Sequence, residues 1–318
     1  MLVVRVGIGR ELVIALALAA CAGLPPARER IVLQPGDDPA AAARVVAARA
    51  RDAEVVYVGE LHDNPHHHTA QARILEAIVA SGARPAVAFE MLSEDQQAVA
   101  DEVIGGSAPA ADADRRLRWQ ARGWPDFTMY WPIFETARRA RLPVVAADLD
   151  PAVARRIGRE GLAALGDGAG RVKSLLPSDL ARERAIAAII QKAHCNLMPE
   201  RRLPAMVEGW HARNVTMARR LGDTLGRVRQ VVVIVGRGHQ DAGGLPAQLE
   251  ALRPGTRQLV VTMLEAPAGE AREAALREAV GDIVWLTPAI SRADPCAGLR
   301  QRLGDGISIP GARTRARA

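Results

Sequence analysis

The chain has 318 residues, 49% apolar and 25% charged, so it can bury a full core and is not disordered as a whole. Its formal net charge of +6 is carried almost wholly by arginine, with Lys173 and Lys192 the only lysines, and is scattered among acids. No basic stripe with interleaved aromatics is present, so no nucleic-acid partner is expected.

Residues 1–20 read as a lipoprotein signal peptide. Arg5 and Arg10 supply a basic start, and Leu12 to Ala20 form an apolar run of nine, too short to span a bilayer as a stable helix. Leu18-Ala19-Ala20-Cys21 looks like a bacterial lipobox, in which Cys21 is acylated and becomes the new N-terminus. The other reading is an ordinary cleaved signal with a coincidental cysteine; either one takes the protein out of the cytoplasm. Lipidation of Cys21 would anchor it to a membrane of the bacterial cell envelope, and Ala22 rather than Asp after the cysteine resembles lipoproteins sent to the outer membrane. Cys195 and Cys296 are then left, and a disulfide or two free buried thiols both remain open.

Residues 21–40, with Pro25-Pro26 and Gly36-Asp37-Asp38, read as a tether, followed by an alanine-rich helix at roughly 40–50. Apolar β-type runs then alternate with helical patterns: Val55 to Val58, Ala86 to Phe89, Val144 to Ala147 and Val231 to Val235, with weaker runs at Leu259 to Met263 and Ile283 to Leu286. Continuous apolar strands separated by helices predict an α/β fold, a mostly parallel sheet with flanking helices. The domain is expected over 41–300, with a small helical subdomain inserted at about 151–225, where only helical patterns occur. Residues 301–318, ending in RTRARA, read as a disordered tail.

Ligands in open α/β sheets sit beyond the carboxyl ends of the strands, so the residues after each run matter most. They are Gly59-Glu60-Leu61-His62, then Glu90, then Asp148 and Asp150, then Gly236-Arg237-Gly238-His239. Gly59 is read as permitting a sharp exit, with Glu60 and His62 entering the crevice. Asp63 or Asn64 caps a helix whose first residue is Pro65. His66, His67 and His68 fall in its first turn, about 100° apart, and read as a solvated turn rather than one centre. In a later helix Met206, Trp210, Met217 and Leu221 mark an inward stripe that includes Arg213, and a guanidinium there needs a carboxylate partner or a wet cavity. Glu60 and Glu90 are the natural candidates.

Taken together, Gly59-Glu60-Leu61-His62, Phe89-Glu90, Arg213-Asn214 with Met217-Ala218, and Gly236-Arg237-Gly238-His239 resemble the ChaN family of haem-binding, iron-uptake lipoproteins in the Tiki/TraB superfamily. The segment from Met129 to Leu162 is also similar to the family's middle part, and the resemblance spans about 50–290. It implies haem as cofactor, ligated by tyrosine and held at a homodimer interface, and outer-membrane haem or iron uptake machinery as partner. Of two tyrosines, Tyr57 lies in the first strand and reads as core, whereas Tyr130 is the more available ligand, with Phe127 and Trp131 lining the porphyrin. His62 and His239 are further haem-contacting candidates, and His194 is a weaker one. Other superfamily branches are hydrolytic, which implies an alternative: a metal-dependent protease or esterase in which Glu60, His62, Glu90 and His239 hold a divalent transition metal ion and Arg213 steadies an oxyanion. A third reading is a scaffold with neither haem nor catalysis that binds another envelope protein.

Overall fold

The computed structural model describes residues 30–300 apart from 176–178, 241–242, 267–269, 295 and 298–299. The signal peptide, Cys21 and the 301–318 tail lie outside the described residues.

All six apolar runs are strands: β2 (Val55–Glu60), β3 (Ala86–Ser93), β4 (Val144–Asp148), β5 (Val231–Gly236), β6 (Gln258–Glu265) and β7 (Ile283–Thr287). A seventh, β1 (Ile31–Leu33), occupies part of the span read as a tether and pairs in parallel with β7, Ile31 opposite Ile283. Three residues are too few to show a period, and the strand is held by Arg30, which donates to the carbonyls of Leu276 and Gly281. The sheet order is β1-β7-β6-β2-β5-β3-β4, every pair parallel.

Successive residues on a strand face opposite sides, and both sides are apolar here. Val56, Val58, Val87, Phe89, Val232 and Ile234 face one layer. That layer is α1 (Pro39–Ala50), α2 (Pro65–Ala80), α3 (Gln97–Gly105), α4 (Ala110–Leu117) and α5 (Phe127–Arg139). Val55, Tyr57, Ala88, Val233 and Val235 face the other, formed by the C-terminal half of α9 (Leu203–Leu225) and by α10 (Leu245–Leu252). Asp38 caps α1 by accepting from the Ala40 and Ala41 N–H groups. Asn64 caps α2, accepting from His66 N–H, with Pro65 as the first helical residue.

Between β4 and β5 the described residues are helical or irregular: α6 (Pro151–Glu160), α7 (Gly168–Ser174), α8 (Leu180–Ala193) and α9. This insertion has small cores of its own, one around Ile157, Leu162 and Val215 and one around Ile186, Ile190 and Val207. Helix α9 belongs to both bodies, since Met217, Ala218 and Leu221 lie against the sheet. The last helix, α11 (Glu270–Glu278), precedes β7. No helix among the described residues is long and apolar enough to cross a membrane.

Candidate functional site

The order β2-β5-β3-β4 sets four strand ends side by side. Glu60 closes β2, Gly236 closes β5 and Asp148 closes β4, while Glu90 lies inside β3, at the irregular stretch where its pairing with β4 shifts register between Phe89 and Ser93.

Glu60 is fully enclosed. Its Oε1 accepts from the Tyr130 hydroxyl at 2.6 Å and from His62 Nδ1 at 2.7 Å, and its Oε2 accepts from Gln71 Nε2 at 2.6 Å. Burial opposes its ionisation, but the charge of His68 and the hydrogen bonds from His62 and His68 outweigh burial and hold it well below the usual carboxylate range. His68 faces acceptors on both ring nitrogens: Nδ1 faces Gln71 Oε1 at 3.0 Å and Nε2 the His62 carbonyl at 3.0 Å. Gln71 is fixed in this orientation because its Nε2 donates to Glu60 and to the Val58 carbonyl. The doubly protonated ring satisfies every contact, and its pKa is raised: burial works against the charge, and Glu60 overcomes it.

The three consecutive histidines are therefore not a solvated turn. His66 is exposed, but His67 and His68 are buried, because the first turn of α2 is folded against the strand ends. His67 Nδ1 accepts the Leu61 N–H at 2.8 Å and its Nε2 donates to Thr287 Oγ1 at 2.9 Å; burial pushes its pKa down to about 4.

A second cluster centres on Glu90. Its Oε1 accepts from Arg213 Nη2 at 2.7 Å and faces His239 Nε2 at 3.2 Å, and its Oε2 accepts the Gly236 N–H at 2.6 Å. Arg213 makes three of its four hydrogen bonds in this cluster to Asp148, from Nε at 3.0 Å to both oxygens and from Nη2 at 2.6 Å. Arg213 thus sits on the inward face as expected, but its partners are Glu90 and Asp148 rather than Glu60. His239 Nδ1 donates to Asn214 Oδ1 at 3.0 Å, and Asn214 Nδ2 donates to the Trp210 carbonyl at 2.8 Å. Both motif glycines are required by close approach. A Cβ on Gly236 would lie 2.7 Å from His62 Nε2, and one on Gly59 2.0 Å from Gln240 Oε1, so Gly59 serves packing within β2 rather than a sharp exit.

His62 joins the clusters, with Nδ1 on Glu60 and Nε2 4.0 Å from Glu90. Burial disfavours its charge, but the hydrogen bond to Glu60 and the charge of Glu90 raise its pKa to about 9. Its contribution to stability is therefore complete below the ordinary histidine range near 6.5 and is lost as pH rises through about 9. The ceiling is about 3 kcal/mol, lowered by partial exposure. An NMR titration should place the His62 ring near 9, and His62→Gln should flatten the fall in stability over that window; a midpoint at an ordinary histidine value would contradict the geometry.

A cavity of about 370 Å³ opens beside these groups. His62, Glu90, Arg213 and His239 form its polar side; Ile186, Ile190, Met206 and Trp210, from α8 and α9, form an apolar wall, and His194 also lines it. A second, polar cavity of about 600 Å³ shares Glu90 and Arg213 and adds Asp148 and Arg122.

The fold and its strand-end constellation define an α/β protein with a seven-stranded parallel sheet and a Glu/His/Arg cluster at the sheet's carboxyl edge. The family model for haem-binding uptake, Tiki superfamily, ChaN, matches residues 46–249, and the chain belongs to that family. Among solved structures it is similar to ChaN of Campylobacter jejuni, described as binding haem cofacially, at 19% identity and TM-score 0.58, over 71% of this chain and 87% of that one. Weaker likenesses are the type III effector HopBA1 (14% identity, TM-score 0.46, 80% of this chain and 96% of that one) and the erythromycin esterase EreC (14% identity, TM-score 0.45, 88% and 86%). No curated protein matches the sequence.

Two ligand sets read from the sequence do not survive the geometry. Tyr130 is fully buried, packs against His68 and Trp119, and gives its hydroxyl proton to Glu60. Burial, reinforced by the Glu60 charge, pushes its pKa far above the phenolic value, so it is not an available phenolate. Tyr57 is buried as well and donates to Gln258 Oε1 at 2.7 Å. Phe127 and Trp131 pack on each other away from the cavity. The metal set fails for a different reason: Glu60 has its oxygens filled by Tyr130, His62 and Gln71, and among the described residues no group of three or more His, Cys, Asp or Glu is disposed to hold a metal ion. The apolar wall suits a flat apolar ring such as a porphyrin, while the charges of Arg213 and His62 on the polar side are already matched by Glu90, Asp148 and Glu60.

Proposed function

We propose that the protein is an envelope lipoprotein that binds haem and assists haem or iron uptake. The observation that carries this reading is the mostly apolar cavity between the strand ends and α8 and α9, in a chain of the haem-binding uptake family. Haem would lie along the apolar wall, with the iron chemistry supplied by the bound group and orientation supplied by the protein. Its polar edge would lie toward His62 and Arg213, and His239, fixed by Asn214 and Glu90, would keep that side rigid. Haem shared between two copies of the chain, as the cofacial arrangement in the Campylobacter relative suggests, would couple binding to dimerisation. A haemin titration of the full chain, followed by absorbance and sedimentation, should show saturable binding with a shift from monomer to dimer. Binding that does not saturate would reject the reading.

Acylation of Cys21 would tether this domain to the outer membrane, beside the uptake machinery. Blocking lipoprotein signal peptidase should leave an unprocessed precursor; unchanged processing would remove the anchor from the account.

A second reading, hydrolysis, is favoured by one observation: His62 has one ring nitrogen fixed by Glu60 and the other directed to the cavity side. It would act there as a metal-free acid–base group, with Arg213 steadying an oxyanion. Ester or peptide turnover lost in His62→Gln would favour it over haem carriage, and no turnover in the wild-type chain would remove it.

A further inference from the structure

With both tyrosines enclosed, the haem-binding reading needs another axial ligand. The usual protein ligands of haem iron are histidine, cysteine, methionine and tyrosine. Cys195 and Cys296 are joined in a disulfide, so neither offers a thiolate, and methionine ordinarily serves as the second ligand beside a histidine. The chain has seven histidines. His66, His67, His68 and His211 do not line the cavity. His239 lines it, but both of its ring nitrogens are engaged, with Asn214 and Glu90. The His62 ring hydrogen-bonds Glu60 through Nδ1, and its Nε2 is turned toward Glu90 at 4.0 Å and packed against Gly236.

His194 differs from all of these. It follows α8 directly, is exposed, and lines the same cavity beside Ile190. Its Nδ1 donates to the Ile190 carbonyl at 2.8 Å, which fixes the tautomer and turns the lone pair to Nε2, the arrangement found in metal-binding imidazoles. Its backbone is pinned as well. The next two residues, Cys195 and Asn196, take left-handed conformations (φ 62° and 55°), Asn196 N–H donates to the Gln191 carbonyl at 2.8 Å, and Cys195 is bonded to Cys296. Ile189, 48% exposed, extends the apolar wall outward next to it.

We propose that His194 is the axial ligand of the haem iron, its Nε2 meeting the metal while the porphyrin lies against Ile186, Ile190, Met206 and Trp210. The proposal rests on the haem-binding reading and adds the iron's partner and the place of the ring. It departs from tyrosinate ligation, and the two produce different ferric spectra. Imidazole and phenolate ligands are distinguished by the ligand-to-metal charge-transfer band and by the electron paramagnetic resonance of the ferric complex.

The test compares haemin complexes of the full chain with those of His194→Ala and Tyr130→Phe. The wild-type complex should lack the phenolate charge-transfer band. His194→Ala should change the Soret position and weaken haemin binding at least about tenfold, and free imidazole should restore the wild-type spectrum. Tyr130→Phe should leave the spectrum unchanged, and circular dichroism of each variant reports whether it folds. A phenolate band in the wild type, or a His194→Ala complex with the wild-type spectrum and affinity, would overturn the assignment while leaving haem binding intact. Absence of saturable binding in the wild type would overturn both.

Discussion

Arg213→Ala is expected to destabilise the fold by about 3–5 kcal/mol, because it leaves two enclosed carboxylates without their cation. Glu90 has a nearly inaccessible side chain and Asp148 a side chain only 10% exposed, and between them they take four hydrogen bonds from this one guanidinium. Burial disfavours the charge of Glu90, and His239 and Arg213 overcome that cost; without the arginine one carboxylate must take up a proton or draw in water. Arg213→Lys should recover only part of the loss, since an ammonium cannot reproduce the fork that spans Asp148 and Glu90. Urea unfolding should therefore rank wild type above Arg213→Lys above Arg213→Ala. Equal midpoints would mean that Asp148 and Glu90 are far wetter than the structure has them.

Replacing both Cys195 and Cys296 by serine should cost about 2–5 kcal/mol, since the bond closes a loop of roughly a hundred residues in the unfolded chain. The sequence separation is 101, and the loop contains α9, α10, α11 and strands β5 to β7. The same change should weaken haemin binding, because the turn carrying His194 would lose its fixed end. Denaturant midpoints with and without reductant report the first effect on the wild-type chain. Identical midpoints would mean that the bond does not persist in solution.

Much of the architecture is legible in the sequence for a simple reason. Strands buried on both faces are continuous apolar runs, and six of them stand out between helical patterns. Strand β1 does not, because three residues carry no period. The strand-end rule led correctly to Glu60, His62, Glu90, Arg213 and His239 as neighbours, and the Arg213 violation of an apolar stripe correctly signalled a buried carboxylate. Which carboxylate depended on strand order: β5 lies between β2 and β3, so Glu90 and Asp148 are nearer to α9 than Glu60 is. Tyr130 was misread because a tyrosine beside Trp131 and Pro132 resembles an exposed aromatic cluster, whereas α5 turns it inward onto Glu60. The residues His67 and His68 were misread because helical spacing says where side chains point and not what covers them. Gln71, one turn further along α2, fixes Glu60 and orients His68, yet nothing in its local pattern marks it.

The central claim is that haem occupies the cavity between the strand ends and α8 and α9, and Gly238 allows that to be tested directly. Gly238 lines the cavity, and a Cβ placed there meets nothing within 4 Å, so Gly238→Phe should set a ring at the cavity wall with no clash at its Cβ. The measurement is a haemin titration of the full wild-type chain beside Gly238→Phe, with unfolding midpoints of both. Saturable binding by the wild type, lost in a Gly238→Phe chain of unchanged stability, is the predicted result. Equal haemin affinity in the two chains would place the haem elsewhere and contradict the account.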